Sequence, residues 1–218
     1  MYNSKITGLG YYVPDNVVTN DDLSKVMDTD DAWIQERTGI KERRHVVKGT
    51  DDTTTTMGVK AAKIAIERAG IDKDDIDFIV FATLSPDYYF PGPGVLVQRD
   101  LGIKTVGALD VRNQCSGFVY GISVADQYIK SGLVKTALVI GADKLSHMCD
   151  PDDRSTIILF GDGAGAVLLG ASEQPGILST HIHADGRYGE LLKLPHPRRG
   201  MSGSEMESYM TMSGNEVF

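Results

Sequence analysis

Residues 105–111, the short connector Arg112-Asn113-Gln114, Cys115 and then Ser116-Gly117-Phe118 constrain this chain more than any other passage. The run 105–111 reads as a buried strand. Residues 116–131 read as a helix, with Phe118, Ile122, Ala125 and Ile129 at helical spacing on one face and Gly132 following as a stop. Cys115 therefore falls at the turn between strand and helix. A thiol there meets the positive end of the helix dipole and unpaired backbone N–H groups, which favour the thiolate. Gly117 leaves room for a substrate to come close. This is the logic of a nucleophile elbow with sulfur in place of oxygen. The same pattern also suits a buried, inert packing cysteine, and the residues by themselves leave both open.

The rest of the chain alternates in the same way. Residues 4–9 suit a first strand. Thr29-Asp30-Asp31 opens a helix through Trp33 and Arg37 that stops at Gly39. Residues 53–56 lead into a helix with Met57, Ala61, Ile64, Ala65 and Ala69 inward, ended by Gly70. Residues 77–84 form a continuous apolar run, the mark of a strand covered on both faces. A short helix is expected at 93–101 and a strand at 136–142. Residues 157–160 and 164–169 read as strands flanking a tight glycine turn. This order predicts a layered α/β fold with a largely parallel sheet. Residues 195–209 are polar and irregular and read as a loop. Ser213 then suits a helix cap, with Glu216 three residues on, and a helix start without a body suggests a chain ending inside a domain.

Composition narrows the function. The 218 residues are 41% hydrophobic and 24% charged, with a formal net charge of −8. An acidic surface argues against nucleic acid as the main partner. The two cysteines, Cys115 and Cys149, form no C-x-x-C pair and no secreted disulfide framework, so neither a metal site nor an oxidising compartment is expected. The first residues lack a signal-peptide core, and no apolar run approaches a membrane span; a cytoplasmic protein without membrane contact is expected. Trp33 and Arg37 are four apart on one helix and share a face. An indole can stack on a purine and a guanidinium can pair with phosphate, although an exposed Trp packed on its neighbour fits equally. Gly161-Asp162-Gly163-Ala164-Gly165 precedes a strand rather than a helix, so it is not a dinucleotide fingerprint.

Taken in order, several motifs resemble one family. They are Thr29-Asp30-Asp31-Ala32-Trp33-Ile34 with Arg37-Thr38-Gly39-Ile40, Cys115-Ser116-Gly117-Phe118, and Ser123-Val124-Ala125-Asp126-Gln127-Tyr128. Cys149-Asp150-Pro151 with Asp153-Arg154, Phe160-Gly161-Asp162-Gly163-Ala164-Gly165-Ala166, His183-Ala184-Asp185-Gly186 and Gly214-Asn215-Glu216-Val217-Phe218 continue the series. Along its full length the chain resembles the β-ketoacyl-acyl carrier protein synthase III enzymes of fatty-acid synthesis.

The resemblance implies a thiolase-like layered fold built on a largely parallel five-stranded sheet, normally a homodimer. On that pattern residues 1–172 form the N-terminal half with the nucleophile, and 173–218 open a truncated second half. It implies that Cys115 takes an acyl group from acyl-coenzyme A, and that malonyl-acyl carrier protein then loses carbon dioxide and condenses with the thioester. The Cys115 N–H would form part of the oxyanion hole. Trp33 matches the residue that stacks on the adenine of coenzyme A, Arg154 the residue covering its other side, and Thr29 and Arg37 line the same site. Phe160 matches a residue facing the acyl pocket, Met212 one of the substrate tunnel, and Asn215 lies in a matched substrate-binding motif. Phe90 matches the aromatic that a dimer partner pushes into the acyl pocket. Acyl-coenzyme A is a substrate, and no cofactor or metal is implied. The family's catalytic histidine and asparagine, and a glycine N–H of its oxyanion hole, have no match here. His181 and His183, expected in a strand, and His147 and His196, expected in loops, are given structural or surface roles.

Two departures from the family stand out. Arg112-Asn113-Gln114 replaces small apolar residues, and Pro91-Gly92-Pro93-Gly94 is unusually rich in Pro and Gly. They allow two alternatives: a relative that acylates other acceptors or loads polyketide starters, and a non-catalytic half-domain.

Overall fold

The computed structural model describes residues 2–195 and 209–217. In chain order the elements are β1 (Asn3–Tyr12), β2 (Val17–Thr19), α1 (Asn20–Ser24), α2 (Asp31–Thr38), β3 (Glu42–Arg44), α3 (Thr54–Ala69), β4 (Phe78–Ala82), α4 (Pro93–Leu101) and β5 (Gly107–Val111). They continue with α5 (Gly117–Lys130), β6 (Thr136–Lys144), α6 (Arg154–Ile157), β7 (Asp162–Ser172), β8 (Leu192–Lys193), β9 (Thr211–Met212) and α7 (Gly214–Val217). These form two compact units. One comprises Met1–Pro14, Val47–Asp143 and Gly163–Ile182, the other Asp15–Val46, Lys144–Asp162 and His183–Phe218.

The first unit holds a five-stranded sheet in the order β1-β7-β6-β4-β5. β4 pairs in parallel with both β5 and β6, while β1 runs antiparallel to β7. Its core gathers Val80, Ala125, Ile129, Ala137, Val139, Val167 and Leu169, with Phe118 and Ile122 packed against them. The helical face read from the sequence is therefore the face α5 buries. Glycines set the closeness of the layers. A β-carbon on Gly10 would lie 2.2 Å from the Ala61 carbonyl oxygen, so β1 touches the backbone of α3. One on Gly121 would meet Val139 and Val80 at 3.1 and 3.2 Å, so α5 lies tight on β6 and β4.

The second unit is smaller. Its core is Leu23, Ile34, Cys149, Ile157, Ile158 and Met210, with Trp33 and Phe160 packed against it. β2 pairs antiparallel with β3, and β8 with β9. The Arg43 guanidinium is buried and donates to the Val18 carbonyl, the Asn20 side chain and the Ile158 carbonyl.

Helix ends fall where their cap residues require. Asp30 and Thr53 accept from first-turn N–H groups of α2 and α3, and Gly39, Gly70 and Gly102 close helices with φ of 70°, 67° and 63°. β5 is an edge strand and only half-buried, not the buried strand expected, because nothing among the described residues pairs on its outer side. Residues 157–160 are not a strand. Asp153 accepts from the Ser155 N–H and starts α6, whose Ile157 enters the core. The glycine segment is not a turn either: Gly163 and Gly165 lie inside β7, where Gly165 pairs with Tyr11 and Ala164 with Tyr12. His181 and His183 are exposed in irregular chain rather than a strand, and His147 lies in a 3-10 turn. His196 and residues 196–208 of the expected loop lie outside the described residues. Among the described residues no helix is long and apolar enough to cross a membrane.

Candidate active site

Cys115 sits in a single 3-10 turn, Gln114–Ser116, between β5 and α5. Its side chain is exposed, so the reading of a buried packing cysteine is set aside. Gln114 holds φ at +45°, a left-handed conformation that a side chain resists and that sharpens the turn. Ser116 closes it, donating from its hydroxyl to the Asn113 carbonyl at 3.1 Å and accepting from the Asn113 amide at 3.1 Å. No side chain caps α5 at Ser116, so the orphan N–H groups of its first turn point toward the thiol's end of the helix. Gly117 differs from expectation. It is buried, and a β-carbon there would come within 3.3 Å of the Ala82 β-carbon. Its lack of a side chain serves the packing of α5 on β4 rather than substrate approach.

The turn lies at the carboxyl end of the parallel strands β4, β5 and β6, the edge where open α/β sheets place their chemistry. A polar cluster unanticipated from the sequence shares that edge. Asp143 accepts from the Thr83 hydroxyl (2.9 Å), the Leu84 N–H (2.9 Å) and the Ser85 hydroxyl (3.1 Å), while burial pushes its carboxyl above the usual range. The only signal was an aspartate ending an apolar strand.

In the second unit, Trp33, Arg37 and Arg154 come together. The guanidinium carbons of Arg37 and Arg154 lie 4.2 and 4.7 Å from the Trp33 ring centroid, within cation–π range. Helix geometry brings Arg37 to Trp33. Arg154 arrives from the start of α6 and donates to the Asp28 carbonyl. The Trp33 backbone N–H donates to the Asp30 cap at 2.7 Å. Both arginine side chains are about half exposed, and each also meets a carboxylate, Arg37 that of Glu36 at 3.7 Å and Arg154 that of Asp28 at 3.8 Å. Thr29 lies one turn before, its hydroxyl buried without a partner among the described residues. Phe160 is half-buried against the same core, and its carbonyl lies 3.2 Å from His45 Nε2. Met212 is half-buried in β9 opposite Leu192, and Asn215 is exposed in α7.

Phe90, in the first unit, is 85% exposed, beside Tyr88 and Tyr89 at 60% and 72%. The second cysteine, Cys149, is buried in the second unit's core, and burial pushes its thiol up to about 11. Among the described residues no three His, Cys, Asp or Glu side chains gather to hold a metal.

An exposed cysteine at a strained strand-to-helix turn, on the edge of this five-stranded sheet, defines a thiolase-like protein. Residues 109–186 match the family model of 3-oxoacyl-[acyl-carrier-protein] synthase III. Across 99% of its length the chain is 59% identical to a β-ketoacyl-[acyl-carrier-protein] synthase III of Yersinia pseudotuberculosis, of which it covers 66%. It superposes on the 3-oxoacyl-[acyl-carrier-protein] synthase III of Aquifex aeolicus with a TM-score of 0.89 and 46% identity, over 98% of this chain and 66% of that one. On the priming β-ketosynthase of a polyketide biosynthetic pathway the TM-score is 0.92 at 32% identity, over 99% of this chain and 64% of that one. The chain belongs to the β-ketoacyl-acyl carrier protein synthase III family, and spans about two thirds of the length of these relatives.

Proposed function

We propose that this chain carries the nucleophile and the coenzyme A-binding residues of a condensing acyltransferase that starts fatty-acid chains, acting in the cytoplasm as a homodimer. The Cys115 thiolate attacks the carbonyl carbon of acyl-coenzyme A. The carbon–sulfur bond to coenzyme A breaks, the coenzyme A thiolate leaves and takes a proton, and the acyl group rests on Cys115 as a thioester. Malonyl-acyl carrier protein then loses carbon dioxide. The resulting carbanion attacks the thioester carbonyl, the Cys115 sulfur departs, and a β-ketoacyl-acyl carrier protein is released. The uncapped first turn of α5 and the Cys115 N–H stabilise the oxyanion that forms beside them. Trp33 stacks on the adenine, Arg154 covers it, and Thr29, Arg37 and Asn215 line the coenzyme A path. Phe160 and Met212 line the acyl chain's route, and Phe90 completes the acyl pocket of the partner subunit. The decarboxylation step falls to a histidine and an asparagine that have no match among these residues.

The observation that carries this reading is the exposed thiol of Cys115 at the mouth of an uncapped helix. Incubation with acyl-coenzyme A followed by peptide mass mapping should place one acyl group on Cys115 and none on Cys115→Ala protein. An acyl group on another residue, or undiminished labelling of the variant, would overturn it.

A second reading is the priming of a polyketide chain with the same cysteine. The polar Arg112-Asn113-Gln114 before Cys115 and the likeness to a priming β-ketosynthase favour it. Competition between carrier proteins of the two pathways as malonyl donors separates the two.

A further inference from the structure

The loop that carries Tyr88, Tyr89 and Phe90 is fastened at both ends by carboxylates from the protein's frame. At its start, Asp87 grips the first turn of α3. Its Oδ1 accepts from the Thr54 N–H, and its Oδ2 accepts from the Thr55 N–H and the Thr53 hydroxyl, each at 3.0 Å. At its end, the Gly94 N–H donates to Asp110 Oδ1 at 2.8 Å. Asp110 belongs to β5, the strand that leads to Cys115. The backbone comes so close there that a β-carbon on Gly92 would lie 1.8 Å from Asp110 Oδ2, and one on Gly94 would lie 3.1 Å from Asp110 Oδ1. The unusual Pro91-Gly92-Pro93-Gly94 thus has a local reason: glycines let the chain reach the carboxylate. Between the anchors, Phe90 is 85% exposed. An apolar ring displayed this far into solvent stays displayed only if its backbone is held, because a loose loop lets such a ring fold back onto apolar surface.

We propose that Asp87 and Asp110 are positioning residues for acyl-chain selection. Together they hold Phe90 at a fixed height above the helix and the nucleophile's strand, and so set the depth of the acyl pocket that Phe90 closes in a second copy. The inference rests on the reading of Phe90 given above. Its chemistry is geometric. Both carboxylates accept backbone N–H bonds from separate elements, so loosening either lets the ring retreat and lengthens the pocket.

The test is the ratio of kcat/KM for an eight-carbon over a two-carbon acyl-coenzyme A, measured on the intact protein and on Phe90→Ala, Asp87→Asn and Gly92→Ala. Gly92 has φ of −71°, which alanine adopts freely, so Gly92→Ala acts only by pushing the loop off Asp110. Asp87→Asn and Gly92→Ala should shift the ratio in the same direction as Phe90→Ala, by about tenfold. Coenzyme A affinity, read from the fluorescence of Trp33, should stay constant, and chymotrypsin should cut sooner after Tyr88 or Tyr89. A ratio that moves in Phe90→Ala but in neither loop variant overturns the positioning role and leaves Phe90's role standing. A ratio unmoved in Phe90→Ala overturns the reading of Phe90 and the positioning role with it. Should Asp87→Asn fail to fold, Gly92→Ala decides alone, because it leaves the first turn of α3 intact.

Discussion

Cys115 and Cys149 are the same chemical group in opposite surroundings. Cys115 is exposed at a helix start, whereas Cys149 is 3% exposed among Ile34, Ile157 and Met210. Loss of water penalises the Cys149 thiolate and holds that thiol near 11 instead of its ordinary 9.0. At neutral pH, iodoacetamide should therefore label Cys115 and spare Cys149, as read by peptide mapping; preferential labelling of Cys149 would remove Cys115 from its role. The sign of the linkage also follows. Because the folded-state value is raised, the contribution of Cys149 is fully present below pH 9.0 and is lost as pH climbs toward 11. Denaturation midpoints should fall across that window in the native protein and fall less in Cys149→Ala. Trp33 is the only tryptophan, so its emission reports on its own surroundings. Trp33→Ala and Arg154→Ala should each weaken acyl-coenzyme A binding, the tryptophan change by about tenfold or more if the purine stacks there. Unaltered affinity in both variants would dismiss the assignment.

At the scale of elements, the sheet's contacts are governed by where side chains are missing. Gly10 faces the α3 backbone at a distance no β-carbon tolerates, while a β-carbon placed on Gly165, which pairs with the adjacent Tyr11 from β7, would meet nothing within 4 Å. Gly10→Ala should cost about 1–3 kcal/mol or more, because either β1 or α3 must move. Gly165→Ala should stay within about 0.5 kcal/mol. Urea denaturation of the two variants checks the contrast, and equal effects would mean that α3 does not lie as close to β1 as described. Both residues look alike in a strand pattern; only the helix laid across one of them separates their fates.

For the whole molecule, Cys115 and the exposed aromatic loop belong to one unit, the Trp33 cluster and its core to the other. Light scattering should show a dimer at micromolar concentration, and a monomer would dismiss the role given to Phe90. A polypeptide of these 218 residues should accept an acyl group on Cys115, because that step needs a thiolate and a positioned thioester. It should not release carbon dioxide from malonyl-acyl carrier protein, since it lacks the matched histidine, asparagine and second oxyanion donor, and loss of one such donor alone costs about 10²–10³ in rate. Turnover near that of a family member would show that residues within this chain supply those groups.

Local chemistry is what the amino-acid order determined by itself. Asp30 and Thr53 cap, Gly39 and Gly70 stop, and the period of Phe118, Ile122, Ala125 and Ile129 marks a buried face, because each of these acts within a turn or two of chain. The same reach put Cys115 at a helix start and Trp33 beside Arg37. The arrival of Arg154 at Trp33 came from the family resemblance, since no local rule spans that separation. Tertiary structure decided the rest. A short apolar run such as 157–160 enters a core in whatever form its neighbours allow, and here Ile157 ends the helix that Asp153 caps while Ile158 follows it into the core without forming a strand. Ala164 and Gly165 became strand because β1 offered pairing partners in Tyr12 and Tyr11. β5 stayed half-exposed because strand order, which depends on pairing between distant segments, put it at the sheet's edge. Asp87 and Asp110 acquired their hold on the aromatic loop in the same way: a carboxylate finds a distant backbone N–H only once packing has brought the two within hydrogen-bonding reach.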